Sequence, residues 1–171
     1  MPVLPPSFYQ RPVLQVAPQL LGKKLCVKHE DGISRATIFE VEAYDGPLDL
    51  ACHGARGRTP RTEVMFGPGG YWYVYFIYGM YWMLNIVTGA KDYPSAVLIR
   101  GAGEWDGPGK LTRALGITRN HNGQPAKRAS GLWIEDAAVI PQKSIRRTAR
   151  IGVAYAGEWA AKPYRFMLSK T

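Results

Sequence analysis

Only two cysteines, Cys26 and Cys52, occur in 171 residues, and no Cys-x-x-Cys pair is present. That excludes a disulfide framework and the common zinc modules. The three histidines, His29, His53 and His121, stand apart without metal-ligand spacing, so no metal is expected. Cys52 and His53 are neighbours, but a thiolate nucleophile needs its base across space, and sequence adjacency does not supply one. No apolar run approaches the roughly 18 residues of a membrane helix. The opening MPVLPPSFYQ holds three prolines instead of the apolar core of a secretory signal. The expectation is an intracellular protein with no membrane partner, in cytoplasm or nucleoid if the source is bacterial. Gly-x-Ser-x-Gly is absent, and with it the usual serine-hydrolase elbow. EWDGPGKL has the outline of a phosphate loop, but Glu104 replaces its first glycine and Leu111 its Ser or Thr. That and the lack of a dinucleotide fingerprint leave no nucleotide cofactor to expect.

Acidic residues are scarce as well: 13 Asp and Glu stand against 22 Lys and Arg, a net charge of +9. The excess is uneven. Residues 110–150 hold nine basic side chains against Glu135 and Asp136, which is +7 of the +9. A solvated basic face would account for this, but a polyanionic partner accounts for it better, because phosphate contacts supply affinity independent of sequence.

The chain length suits one domain with a proper core. Residues 1–7 read as a flexible, proline-punctuated arm. A short helix is expected over about 12–21, closed by Gly22. KLCVKH and SRATIFEVEAY read as strands joined through an Asp-Gly turn. ARGRTPRTEV is a basic loop carrying Arg56, Arg58 and Arg61. SAVLIRG reads as a strand, and DGPGKLTRALG as a short helix with proline at its first position and Gly116 past its end. Further strands are expected near 132–135, 148–154 and 164–168. The sum is an α+β domain spanning 1–171, with a mostly antiparallel sheet and short helices.

One stretch is aromatic-rich out of proportion: YWYVYFIYGMYW, residues 71–82, holds eight of the 20 aromatic side chains. Strands over 71–77 and 81–87, joined by Tyr78-Gly79-Met80, place Phe76 opposite Trp82, Val74 opposite Leu84 and Trp72 opposite Ile86. On the other face Tyr75 meets Met83 and Tyr73 meets Asn85. The first face is hydrocarbon and indole and is expected to be core. The second carries hydroxyls and an amide, which suits a ligand pocket. Tyr78 lands at the turn, where it either folds back on neighbouring loops or serves as a wedge between base steps.

Glu42 lies near the end of the second strand, just before the break at Asp45-Gly46-Pro47, where a carboxylate can orient and deprotonate water. Alternation puts Ile38, Glu40, Glu42 and Tyr44 on one face. Glu40 is therefore either a partner of Glu42 or a surface residue paired with Lys or Arg. Gly107, Gly109 and the following helix can offer backbone N–H groups to a phosphate.

The segment EVEAYDGPLDLACHGARGRTPRTEVMFGPGGYWYVYFIYGMYWMLNI, with SAVLIRG, GPGKLTRALGI and RIGVAYAGEWAAKPYRF, resembles the alkyladenine (3-methyladenine) DNA glycosylases of the AAG/MPG type. The similarity runs from about residue 8 to 166. It implies a single α/β domain with a curled antiparallel sheet and a protruding hairpin. It also implies a monofunctional hydrolase that flips alkylated or deaminated purines out of duplex DNA and needs no metal or other cofactor. By position, Glu42 corresponds to the general base and Arg100 to the arginine near the water and the DNA backbone. Tyr44, His53 and Tyr75 correspond to the walls around the flipped base, and Asn85 to the residue that clashes with the 2-amino group of normal guanine. Tyr78 corresponds to the side chain that replaces the extruded nucleotide. Arg58, Arg61, Gly109 and Lys110 are expected at the DNA backbone. The partner is double-stranded DNA containing damaged purines, bound by a monomer.

Two other readings stand beside this one. A non-catalytic domain can use the Tyr face as a stacking platform for unpaired bases, but it has no use for a carboxylate aimed at the nucleotide. A carbohydrate glycosidase can use Glu40 and Glu42, but two carboxylates side by side on one strand face do not flank a bond.

Overall fold

The aromatic hairpin forms in the register expected from its pattern. In the computed structural model, which describes residues 1–169, β3 (Trp72–Ile77) and β4 (Tyr81–Val87) pair Trp72 with Ile86, Tyr73 with Asn85, Val74 with Leu84, Tyr75 with Met83 and Phe76 with Trp82. The apolar face is core only at its base, where Trp72, Val74, Leu84 and Ile86 are buried. Toward the tip Phe76 is 43% exposed, so the hairpin projects past the body of the protein. The indole N–H of Trp72 donates to Leu132 O at 3.0 Å, which satisfies its one polar atom inside the core.

The hairpin belongs to a nine-stranded sheet. Its other members are β1 (Lys24–His29), β2 (Gly32–Asp45), β5 (Ser95–Ala102), β6 (Trp105–Asp106), β7 (Leu132–Glu135), β8 (Ile145–Thr148) and β9 (Arg165–Leu168). The main path runs β3-β4-β5-β2-β1-β7, every pairing is antiparallel, and the sheet stays open. The long β2 organises it. Its first half pairs with β1, and its second half lies between β5 and β9.

The register of β2 against β5 shifts between Ile38 and Val41. Such a bulge bends the strand and breaks strict alternation. Ile38 therefore shares the main core with Val41 and Ala43, which corrects the expectation that it lies on the face of Glu40 and Glu42. Those two glutamates do share a face, because both bond Arg100. Glu42 lies near the end of β2, which stops at Asp45 as expected, and both backbone edges at Glu42 are occupied, opposite Leu98 and Arg165.

One layer of helix covers the sheet. Helix α1 spans Pro6–Tyr9, and α2 (Val13–Leu20) buries Val13, Val16, Ala17 and Leu20 against β2 and β5. That i, i+3, i+4, i+7 spacing is one helical face. Helix α3 (Pro108–Ala114) starts on a proline, whose missing N–H would have no partner there anyway, and Gly116 follows its end with φ 64.

Two expectations are corrected here. Residues 1–7 are not a flexible arm: Leu4 is 4% exposed, its N–H bonds Ile134 O at 2.9 Å, and Val3 bridges to Glu135 at the edge of β7. An edge strand needs cover, and this segment gives β7 its cover. The strand expected near 148–154 is β8, over Ile145–Thr148. The following residues leave the sheet because Arg150 turns into the interior, and Ala154–Ala161 is short 3-10 helix kinked at Gly157.

Candidate active site

A cavity of about 420 Å3 opens between the hairpin, β5, the start of α3 and the loop after β8. Its walls include Tyr44, His53, Tyr75, Asn85 and Arg100, together with Gly109 and Lys110 on one side and Tyr78 at the hairpin end. The fold thus gathers nine of the eleven candidate residues around one space or just behind its wall, the ninth being Glu42. Arg58 and Arg61 sit outside the lining, on the basic loop.

Glu42 is fully buried behind that wall. Its Oε1 accepts from Arg100 Nη1 at 2.9 Å, and its Oε2 from the N–H of Ile151 at 2.8 Å. Arg100 and Ile151 both line the cavity. An ionised carboxylate has about four acceptor sites, so these two bonds leave capacity for a water. Burial raises the Glu42 carboxyl above the ordinary carboxylate range, opposed first by the charge of Arg100 and then by the Ile151 N–H. Arg100 also donates through Nε to Glu40 at 3.1 Å, and Arg165 reaches Glu40 at 2.7 Å. Glu40 therefore lies inside a charge row, Glu42–Arg100–Glu40–Arg165, that braces Arg100.

The ring walls are fixed by one another. His53 lies 4.6 Å from Tyr75 between ring centroids, and its Nδ1 is 2.9 Å from Tyr73 Oη. Burial, with the charges of Arg61 and Arg56, lowers His53 to about 4. Burial pushes Tyr73 up to about 12. At neutral pH both groups are therefore uncharged, and a neutral hydrogen bond joins the imidazole to the phenol. Burial also raises Tyr44 and Tyr75 well above the ordinary phenol range, keeping them neutral. Asn85 donates Nδ2 to Tyr73 O at 3.2 Å and to Met83 O at 3.4 Å, which holds its side chain in place. Cys52 is buried and its thiol is pushed up to about 12, so it is no nucleophile at neutral pH.

Tyr78 is 80% exposed at the hairpin tip. Both it and Gly79 have positive φ, 55° and 63°, and Met80 N–H closes the turn onto Ile77 O at 3.1 Å. A left-handed tyrosine costs roughly 1–2 kcal/mol. The turn holds an unburied ring outward at an energetic cost, and packing gives no return for it.

The expected DNA-backbone residues differ in their surroundings. Arg58 is paired with Glu63 at 2.8 Å and Asp92 at 2.6 Å and lies over Phe66. Arg61 lies over the Tyr75 ring at 5.4 Å. Lys110 pairs with Asp106 at 2.7 Å. Gly109 has a packing reason as well: a Cβ there would fall 2.4 Å from the Tyr81 ring.

Sequence reasoning missed Asp49, Arg150 and Ile151. Asp49 and Arg150 form a fully buried bidentate ion pair 101 residues apart in sequence, and Ile151 acts through its backbone. Neither contribution has a local signature. Arg150 had been counted in the basic excess, and its burial removes it from any surface patch.

Among the described residues no group of three or more His, Cys, Asp or Glu is placed to hold a metal ion, and no helix is long and apolar enough to cross a membrane. The chain matches the family described as Methylpurine-DNA glycosylase (MPG) over residues 7–106 and 104–171. A protein of Myxococcus xanthus (strain DK1622) is 47% identical, covering 95% of this chain and 88% of its own length. One of Methanocella arvoryzae (strain DSM 22066 / NBRC 105507 / MRE50) is 46% identical, covering 97% and 92%. Both carry the name "Putative 3-methyladenine DNA glycosylase". With the match spanning nearly the whole chain, the protein belongs to the methylpurine-DNA glycosylase family.

Proposed function

We propose that this protein is a monofunctional DNA glycosylase that removes damaged purines from duplex DNA by water attack on the sugar C1′. The observation that carries the reading is the joint placement of Tyr78 and Glu42. An exposed ring stands at one end of the aromatic cavity, and a buried carboxylate lies behind its wall, bonded to Arg100 and Ile151.

A base inside the duplex is out of reach and must be extruded, which costs a few kcal/mol and least for damaged or mispaired bases. Tyr78 enters the minor groove and fills the gap. The purine enters between Tyr44, His53 and Tyr75, where ring stacking recognises it, and Asn85 disfavours normal guanine through its 2-amino group. Glu42 accepts a proton from water as the water oxygen bonds C1′. The N-glycosidic bond breaks, and its electron pair leaves with the base. The sugar passes through an oxocarbenium-like state, which the nearby carboxylate stabilises. Purines alkylated on the ring, such as 3-methyladenine and 7-methylguanine, are already cationic leaving groups. Hypoxanthine and ethenoadenine rely more on hydrogen bonds in the pocket. Water is the nucleophile, so no lysine Schiff base forms, and the enzyme acts as a monomer.

The test is a panel of duplex oligonucleotides, each with one modified purine, incubated with enzyme and then with alkali to cut at abasic sites. Strand cutting at the lesion is expected with wild type. Glu42→Gln should bind the same duplexes while excision falls by about two orders of magnitude or more. A Gln variant as fast as wild type would remove Glu42 from the mechanism.

A further inference from the structure

We propose that Arg150, anchored by Asp49, is the positioning residue that holds Glu42 behind the cavity wall and Tyr44 in it. The inference rests on the reading of Glu42 as the base.

The two side chains have no solvent exposure. Both guanidinium nitrogens of the fork bond Asp49, Nη2 at 2.9 Å, and the same nitrogens donate to Ala43 O at 2.9 Å and Trp159 O at 3.1 Å. The guanidinium carbon lies 4.9 Å from the Tyr44 ring centroid and 5.1 Å from that of Tyr164, so the cation sits between two rings. Asp49 in turn accepts from the N–H groups of Asp45 and Ala51, holding the chain after β2 closed. The residue after Arg150 is Ile151, whose N–H bonds Glu42.

These contacts converge on the two groups the chemistry needs. Ala43, whose carbonyl Arg150 holds, lies between Glu42 and Tyr44 in β2. The Tyr44 ring that walls the pocket rests on the guanidinium. The backbone donor on Glu42 Oε2 belongs to Ile151, the residue that directly follows the anchored Arg150. An apolar pair filling the same volume is often as stable as a buried ion pair. It would nevertheless leave the Ala43 and Trp159 carbonyls without these donors, and only a planar five-donor fork meets all four acceptor atoms at once. The charged and titratable groups around Glu42 are Arg100 and, through it, Glu40 and Arg165; Arg150; and the phenols of Tyr44 and Tyr75.

The experiment is single-turnover excision of hypoxanthine from a duplex, enzyme in excess, across a range of pH. It compares wild type with Arg150→Met, Tyr164→Leu and Glu42→Gln, with duplex affinity and thermal unfolding measured in parallel. Arg150→Met should keep duplex affinity and excise about tenfold or more slowly. Its acid limb should move to higher pH, because a cation and a backbone donor that favour ionised Glu42 are both lost. Tyr164→Leu, which removes only the far stacking surface, should move the limb the same way with a smaller rate loss. Limbs that stay at the wild-type position, with rates tracking only the folded fraction, overturn the proposal and leave the ion pair a stabilising device. If Arg150→Met does not fold, Tyr164→Leu decides by the same criterion. A Glu42→Gln variant that excises normally sinks the base assignment. An inactive one beside unmoved limbs sinks the positioning role alone.

Discussion

Arg100 donates to Glu42 across 2.9 Å, and among the groups around this buried carboxyl it is the one that most opposes protonation. Burial nevertheless wins, and the carboxyl stays above its ordinary range. The proposed mechanism requires the ionised form, so the acid limb of the pH–rate profile is expected above the usual carboxylate region. Arg100→Met takes away the opposing charge and should carry that limb higher, with the largest rate deficit at the acid end. Each unit of displacement corresponds to about 1.4 kcal/mol. Single-turnover rates against pH check both the position and the direction.

His53 titrates in the opposite sense. Its folded value is depressed from 6.5 to about 4, so between those values the unfolded chain binds the proton and the folded protein does not. Its contribution to stability is complete above 6.5 and is lost as the solution is acidified toward 4. His53→Gln should flatten this part of the curve of unfolding free energy against pH. A variant with the same slope as wild type would show that His53 is protonated in place.

Tyr78 holds a left-handed backbone with its ring in solvent. Tyr78→Gly removes the strain and loses almost no burial, so chemical denaturation should show unchanged stability or a gain of up to about 1 kcal/mol. Base extrusion, read as 2-aminopurine fluorescence beside the lesion, should weaken. Better folding with poorer flipping would mark strain kept for function.

Gly109 and Gly107 make a matched pair. A Cβ at Gly109 would sit 2.4 Å from the Tyr81 ring, whereas at Gly107 its nearest contact is 3.8 Å, on Lys110. Gly109→Ala should cost about 1–3 kcal/mol by forcing the ring aside and should slow excision, because Tyr81 lines the cavity. Gly107→Ala should lose at most about 1 kcal/mol, through the helix N-cap it occupies. Thermal unfolding of the two variants separates the outcomes.

The hairpin was legible because its information is local. Alternation with period two and a glycine-centred turn leave one register that keeps the hydrocarbon and tyrosine faces apart, and that register forms. Helix α2 was legible with the glycine that closes it, and α3 from its proline and glycine. The bulge in β2 was not legible, since a one-residue shift leaves no mark in composition and reverses the side of Ile38. The N-terminal segment read as loose because its prolines suit an arm. What pins it is the unpaired edge of β7, about 130 residues away in sequence. A strand was expected near 148–154, yet Arg150 turns inward, where Asp49 neutralises it.

By itself the amino-acid sequence determined the aromatic hairpin, the tyrosine at its turn, the surplus of positive charge and the motifs that carry family membership. All are set by neighbours within a few residues or by simple sums. Only the tertiary structure decided that Glu42 is buried with two donors on it, that Glu40 is bound into a charge row, and that Arg150 is no surface cation. A buried charge needs partners from any part of the chain, and which partners arrive depends on how the whole sheet closes around it.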